Sequence, residues 1–107
     1  MQMVQHLRFG AGPKPRLSVN PQWGEVGTVF RFNAVNFDPH TAVNVEITNG
    51  NGHHIYAHQI TTDENGSIGH FGLAWPTAGW PRGIYHFAIT GWHQGKSVPL
   101  VQRFDLT

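Results

Sequence analysis

The stretch of this sequence that decides the fold reads Trp80-Pro81-Arg82-Gly83-Ile84-Tyr85-His86-Phe87-Ala88-Ile89-Thr90-Gly91. Its large apolar side chains recur at every second position, at Tyr85, Phe87 and Ile89, which is the period of a β-strand with one buried face. Pro81 and Gly83 precede this strand, and both residue types are typical of turns. The stretch therefore predicts a tight corner that feeds a central β-strand.

Two stretches upstream alternate in the same way and predict two more inner strands, over residues 28–34 and 41–48. Their inward-facing side chains are expected to be Thr28, Phe30, Phe32, Ala34, Val43, Val45 and Ile47. Further strands are expected over residues 16–19, 53–62, 67–75 and 98–106. Short strands at this spacing, without a helical period, predict an all-β antiparallel sandwich of about seven strands.

Glycine and asparagine mark the connections between these strands. Residues 49–52 form a doubled Asn-Gly pair, which is the strongest short-range signal for a hairpin. Residues 63–66, Asp-Glu-Asn-Gly, are expected to form a second hairpin turn, and residues 92–95 to turn the chain after the central strand. Gly69 and Gly72 interrupt the strand between them and predict a bulge there.

Composition limits the classes of function. Charged residues make up only 12% of the 107 residues, and the formal net charge is +1, so there is no electrostatic case for nucleic acid or an anionic membrane. There is no cysteine, which excludes a thiol nucleophile, a thiolate metal site and disulfides. No apolar run is long enough for a membrane helix, and the N-terminus lacks the apolar region of a signal peptide. Low charge suits an extracellular or cell-surface β-protein, or a subunit of an assembled particle.

The first fifteen residues differ from the rest. Residues 10–15 contain two glycines and two prolines and are typical of a linker, so we expect residues 1–15 to be a flexible arm and residues 16–107 to be the folded domain. The arm is either a mobile tail or a strand that pairs with a neighbouring subunit. In the second case its apolar residues Val4, Leu7 and Phe9 would mediate assembly.

Several short motifs follow one another along the chain: Gly27-Thr28-Val29-Phe30-Arg31-Phe32, Asn36-Phe37-Asp38-Pro39, Val43-Asn44-Val45, Thr61-Thr62-Asp63-Glu64-Asn65-Gly66, Pro81-Arg82-Gly83-Ile84-Tyr85-His86-Phe87 and Phe104-Asp105-Leu106. In this order they resemble the motifs of bacterial and archaeal Ig-like or fibronectin-III-like surface domains. The resemblance covers roughly residues 16–107 and implies a surface, adhesin or structural module without catalysis of its own. In immunoglobulin-like sandwiches a tyrosine placed like Tyr85 returns its hydroxyl to upstream backbone, so Pro81, Gly83 and Tyr85 are expected to form a structural corner. Whether the strand over residues 53–62 joins one sheet or the other is left open, and this choice separates the fibronectin-III-like from the Ig-like arrangement.

The eight histidines do not predict a metal site. His54 and His58 would lie about 13 Å apart on one strand, too far to bind one ion, and His53 and His54 point to opposite faces. Asp63, Glu64 and Asn65 offer oxygen ligands, but this turn alone supplies fewer than Ca²⁺ requires. Neither a metal nor another cofactor is expected.

The four tryptophans are the candidate binding residues. Trp23, Trp75, Trp80 and Trp92 could form an aromatic platform that stacks on sugar rings, or they could cap the core or lie in an interface. No pair of carboxylates in an enclosed position, no nucleophile elbow and no phosphate-binding glycine loop is present, so the sequence does not predict an enzyme.

Three hypotheses of function follow. The first is a structural or adhesive Ig-like module of an extracellular or cell-surface protein. The second is a self-assembling subunit of a filament or viral particle that uses the N-terminal arm. The third is a carbohydrate-binding module that uses the tryptophans. Protein partners or self-association are expected in the first two.

Overall fold

The structure, a computed structural model, describes residues 13–107, and only the backbone of residues 69–72 within them. The smaller of two sheets has the strand order β1-β3-β6, with β1 at Arg16–Asn20, β3 at Val29–Val35 and β6 at Ile68–Pro76. The larger has the order β2-β8-β7-β4-β5, with β2 at Trp23–Gly24, β4 at Ala42–Asn49, β5 at His54–Thr61, β7 at Gly83–His93 and β8 at Lys96–Leu106. The described residues contain no helix, so none that could cross a membrane is found among them. The prediction of an all-β, two-sheet sandwich is confirmed.

The core lies between the two sheets, where the alternating faces meet. The ring of Phe32 from β3 stacks on that of Phe87 from β7, with centroids 3.9 Å apart. Phe104 of β8 packs against Phe30 and Phe32 at 4.9 and 5.2 Å. The buried apolar residues are Val19, Phe30, Phe32, Ala34, Phe37, Val43, Val45, Ile47, Ile68, Tyr85, Phe87, Ile89, Phe104 and Leu106. The inward faces expected for β3, β4 and β7 are therefore the buried ones, with Thr28 half-buried just before β3.

The strand count and the strand directions differ from the prediction. There are eight strands among the described residues, because the two-residue strand β2 pairs with the end of β8, and this pair is parallel. Two backbone hydrogen bonds beside this pair join the same segments, from Asp105 N to the carbonyl of Gln22 and from Thr107 N to that of Gly24. A strand of two residues is too short to show a period-two pattern in the sequence. Tertiary packing brings the two segments together.

The turn at residues 63–66 is not a hairpin, which corrects the expectation. It leads from β5 in the larger sheet to β6 in the smaller one, and these strands do not pair with each other. Asp63 Oδ1 accepts hydrogen bonds from the backbone N–H groups of Asn65 and Ser67, at 2.8 and 2.9 Å. These local bonds make a tight turn whichever sheet the next strand joins, so the turn signal could not distinguish a hairpin from a crossover.

The turn after β7 is shorter than expected. Trp92 and His93 are still in the strand, and the chain reverses at Gln94 and Gly95, which have φ angles of 52° and 76°. The other two expected features are present. The Asn49–Gly52 signal lies at a true β4–β5 hairpin, and the β3–β6 register shifts opposite the Gly69–Gly72 stretch.

Residues 1–12 of the expected arm, including Val4, Leu7 and Phe9, lie outside the described residues. The remainder contacts the domain: Pro15 is buried, and the carbonyl of Lys14 accepts a hydrogen bond from Asn36 Nδ2 at 3.1 Å. Ordered contacts therefore begin before residue 16.

Candidate ligand-binding cleft

The corner before β7 is held by the side chain of Tyr85. Its hydroxyl donates a hydrogen bond to the carbonyl of Pro81 at 2.6 Å, four residues upstream. The Tyr85 ring stacks on Phe104 at 5.5 Å and contacts the Trp80 ring at 5.4 Å. Tyr85 is only 2% exposed, and this burial raises the pKa of its hydroxyl above the ordinary value of 10.0. Trp80 therefore packs against a tyrosine whose position is fixed by the core.

The β4–β5 hairpin lies opposite this corner. Asn49 Oδ1 accepts hydrogen bonds from the backbone N–H groups of Asn51 and His53, at 2.9 and 3.0 Å. The backbone N–H of Asn49 donates to the carbonyl of His53, and that of Gly52 to the carbonyl of Asn49, both at 3.0 Å. Because the Asn49 oxygen accepts both of these bonds, its Nδ2 group keeps its donor capacity.

An open cleft of about 500 Å³ lies between the corner and the hairpin, and we call it the corner cleft. Asn49 and Asn51 line it on the hairpin side, and Trp80 and Arg82 on the corner side. Its apolar lining includes the half-exposed side chains of Ile55 and Ile84. A cleft of this size, with an apolar surface and a few polar groups, matches the usual character of a small-molecule site, about 300–1,000 Å³.

The electrostatics of the corner cleft are set by one cation. Arg82 is exposed and has no ion-pair partner among the described residues. No Asp, Glu or His of the described part of the chain lines the cleft. The site therefore favours an anionic or electron-rich ligand.

The four tryptophans occupy separate places. Trp80 lines the corner cleft. Trp75, at the end of β6, packs edge-on against Tyr56 of β5 at 4.3 Å and closes the side of the core, with its Nε1 buried and unpartnered within the described residues. Trp23 is 68% exposed on β2. Of these three, Trp80 is the one that lines the corner cleft.

Trp92 lies in β7, far along the strand from the corner. It pairs with Ser97 near the end of β7 remote from the corner, roughly 25 Å along the strand from Ile84 at about 3.3 Å per residue. Its side chain is 44% exposed. Trp92 therefore belongs to the opposite end of the sandwich and not to the corner cleft.

The remote end is a network of hydrogen bonds around Asp38. Its two carboxylate oxygens accept from the backbone N–H groups of Gln94 and Gly95, at 2.7 and 3.0 Å. Its carbonyl accepts from the hydroxyls of Thr41 and Thr62, both at 2.7 Å. This network joins the β3–β4 loop to the β7–β8 turn, so the role of Asp38 is structural.

Among the described residues, no three His, Asp or Glu side chains converge as metal ligands would. His54 Nδ1 lies 2.9 Å from Glu46 Oε2 on the outer face of the larger sheet, where both side chains are well exposed. His93 Nδ1 lies 2.9 Å from the carbonyl of Asn36 and belongs to the remote network. His54 and His93 thus have separate partners in different parts of the structure.

Sequence reasoning missed most of the corner cleft. It singled out Trp80 and the corner residues Pro81, Gly83 and Tyr85, but not Asn49, Asn51 or Arg82. The sequence marks the Asn-Gly hairpin and the corner separately but carries no signal that pairs their strands. In the structure Asn49 lies opposite Tyr85 in the β4–β7 register, so the hairpin and the corner share one end of the sheet.

Comparisons with known proteins bear on the fold. No family model matches the chain, and no curated protein sequence matches it. Among solved structures, the chain is similar to macromomycin, with a TM-score of 0.53 and 16% identity over 88% of this chain and 100% of that one. At this identity the likeness concerns the fold alone, an all-β two-sheet architecture.

Proposed function

We propose that the chain is a non-catalytic Ig-like module, of the fibronectin-III-like arrangement, with a structural or adhesive role in an extracellular or cell-surface protein. The observation that carries this proposal is the position of β5, which pairs with β4 at the edge of the larger sheet. A constant-type immunoglobulin domain would instead place its fourth strand in the smaller sheet, beside the strand that corresponds to β6. The hydrogen bond from Tyr85 to Pro81 supports the same class, since it has the form of the tyrosine corner.

The arrangement of the carboxylates supports a non-catalytic role. Asp38 binds two backbone N–H groups, and Glu46 pairs with His54. Asp105 accepts two hydrogen bonds from Arg103, at 2.8 and 3.0 Å, and these lower the pKa of its carboxyl below the ordinary value of 3.8. Asp38 links two loops, and Glu46 and Asp105 each pair with a nearby side chain on the surface.

Exposed apolar side chains on the outer face of the larger sheet support binding to another protein. Val101 of β8 is 63% exposed and lies in register with Ala88 of β7. Trp92, 44% exposed, lies farther along the same strand. Aromatic residues are enriched and charges depleted in the centres of protein interfaces.

A second candidate is the self-assembling subunit, and the free edge of β5 favours it. Among the described residues β5, which is eight residues long, pairs on one side only. It contains neither proline nor Lys, Asp or Glu, although edge strands are usually protected by such residues. An unprotected edge can accept a strand from another copy of the chain.

Light scattering separates the two candidates. A surface module should be monomeric both as the full chain and as a chain that starts at Gly12. A subunit should assemble as the full chain and lose its assembly when residues 1–11 are removed. Ala57→Lys, in the exposed middle of β5, should also prevent assembly through the edge, whereas Ala78→Lys in an exposed loop should not.

The same measurement can overturn the module proposal. If the full chain assembles, and the deletion or Ala57→Lys abolishes the assembly, the module hypothesis is wrong and the subunit hypothesis is supported. A full chain that stays monomeric, with or without residues 1–11, would support the module.

A further inference from the structure

The two walls of the corner cleft are held in place before any ligand arrives. On one side the Asn49 side chain and two backbone hydrogen bonds brace the hairpin. On the other, the bond from Tyr85 to Pro81 and the backbone bond from Trp80 N to the carbonyl of Thr77, at 3.0 Å, brace the corner. A site that is already formed loses little conformational entropy on binding.

The groups that line the cleft differ in chemistry. Trp80 contributes an indole whose contact with Tyr85 orients it, and an indole provides an apolar surface with an electron-rich face. Arg82 contributes a planar guanidinium, which pairs with a carboxylate through two parallel hydrogen bonds. Asn49 contributes an amide donor, and Asn51 a side chain with both donor and acceptor capacity.

We infer that the corner cleft binds a sugar ring that carries a carboxylate, as in a hexuronic acid unit of an acidic polysaccharide. The pyranose ring lies against the indole of Trp80, and its carboxylate pairs with Arg82. Its hydroxyls exchange hydrogen bonds with the amides of Asn49 and Asn51. This role does not depend on whether the chain acts as a spacer or as a subunit.

The chemistry of the cleft selects this ligand over simpler ones. A neutral sugar would leave the guanidinium of Arg82 without a charged partner, and an inorganic anion would leave the indole uncovered. A second open cavity, of about 400 Å³, lies on the outer face of β1 and β3 and is lined by Arg16, Leu17, Ser18, Asn33 and Val35. It has a cation but no aromatic side chain, so it could pair with a carboxylate but could not stack against a sugar ring.

The test is a titration of the full chain with sodium glucuronate, followed by two-dimensional amide NMR. Glucuronamide, in which a neutral amide replaces the carboxylate, serves as the matched ligand at the same ionic strength. Glucuronate should shift the amide signals of both walls, those of Gly50 and Asn51 and those of Arg82 and Gly83. The affinity for glucuronamide should be lower than that for glucuronate by about ten-fold, because glucuronamide lacks the charge-assisted pair.

Three variants locate the binding. Arg82→Gln, at an exposed position, should reduce glucuronate binding to that of glucuronamide. Trp80→Ala should abolish the binding of both ligands. Trp92→Ala is the control, because this tryptophan lies at the opposite end of β7 and should not affect the titration.

Absence of shifts, or shifts at residues outside the two walls, would overturn the inference. Equal affinity for glucuronate and glucuronamide, or unchanged glucuronate binding by Arg82→Gln, would do the same. Trp80 packs on the core, so the Arg82 variant decides the result if Trp80→Ala does not fold. None of these outcomes concerns the oligomeric state, which alone tests the module against the subunit.

Discussion

At the scale of single residues, Tyr85 joins three parts of the molecule. Its ring packs between Phe104 of β8 and Trp80 of the corner, and its hydroxyl reaches the carbonyl of Pro81. The corner, the central strand and one wall of the corner cleft therefore share one side chain. Gly66 has a comparable position at the remote end, where it lies against the backbone of Phe37.

Tyr85→Phe should lower the free energy of unfolding by about 1 kcal/mol at neutral pH, because it removes one hydrogen bond and keeps the ring. Burial raises the pKa of Tyr85 in the folded state, so the wild type contributes stability through this group that is fully present below pH 10.0 and is lost as the pH rises toward the folded pKa. The variant lacks that loss. Urea denaturation at pH 7 and at several values above 10 measures both effects, and parallel alkaline curves for the two proteins would contradict the second.

Gly66→Ala should destabilise the protein severely. A Cβ at this position would meet the carbonyl oxygen and carbon of Phe37 inside any allowed contact distance, and the φ of +75° strains an L residue further. We expect a loss of roughly 2–5 kcal/mol from clash and backbone strain together. Gly52→Ala is the matched control, since its φ is +80° but nothing lies within 4 Å of the new Cβ. Equal losses in the two variants, measured by urea denaturation, would show that strain alone matters.

At the scale of elements, the loop between β3 and β4 holds the turn between β7 and β8. Asp38 N donates to the carbonyl of Trp92 at 2.7 Å, and the Asp38 carboxylate binds both N–H groups of the turn. Residues 94 and 95 have positive φ angles, which Gln94 adopts at some cost. The β3–β4 loop therefore stabilises the β7–β8 turn, whose sequence favours the required backbone conformation only at Gly95.

Asp38→Ala should loosen this turn without unfolding the sandwich. Both turn N–H groups lose their acceptor, but they are near the surface, so water replaces it in part and the expected cost is about 1–2 kcal/mol. Hydrogen exchange is the decisive measurement: the amides of Gln94 and Gly95 should exchange much faster, while those in the middle of β7 stay protected.

Glu64→Ala, at an exposed turn position, serves as the control and should leave the exchange rates of the β7–β8 turn unchanged. Unaltered exchange rates for Gln94 and Gly95 in the Asp38 variant would show that the turn is stable without the Asp38 carboxylate.

At the scale of the whole molecule, aromatic stacking joins the two sheets. Phe32 from the smaller sheet lies face to face with Phe87 from the larger one, at an interplanar angle of 10°. Phe104, also in the larger sheet, contacts Phe30 and Phe32 of the smaller one. Since each ring is almost fully buried, neither sheet can leave the other without exposing the common core.

Phe87→Ala should lower the free energy of unfolding by about 3–5 kcal/mol, through the lost apolar contacts and the cavity left behind. Thermal unfolding followed by far-ultraviolet circular dichroism and by tryptophan fluorescence should give one coincident transition at a lower temperature. Val101→Ala, at an exposed site on the same sheet, should change stability by less than about 0.5 kcal/mol. Separate transitions for the two probes would indicate that the sheets unfold independently.

Much of the fold could be predicted from the sequence, and the reason is local. Alternation at period two places Phe30, Phe32, Val43, Val45 and Phe87 on buried faces whatever the neighbouring strand is. Asn-Gly pairs and the Pro-Arg-Gly corner mark chain reversals through backbone preferences that need no partner. Strand existence and inward faces were therefore predictable.

The candidate site was predictable only in part. The corner residues and Trp80 were found because they form one continuous stretch. Asn49 and Arg82 lie 33 positions apart in the chain, and only the β4–β7 register brings their segments together at the corner cleft. Trp80 lines the corner cleft and Trp92 lies toward the other end of β7, a difference that composition cannot reveal.

The sequence by itself determined that the chain is an all-β sandwich with a tyrosine at its corner, because alternation and turn preferences act over a few residues. The tertiary structure decided which strands are neighbours: β5 beside β4, β2 beside β8, and a crossover at Asp63–Gly66 in place of a hairpin. It also decided that Arg82 and Asn49 line one cleft. Pairing of distant strands depends on how both sheets bury their apolar faces together, and that requirement is a property of the whole chain.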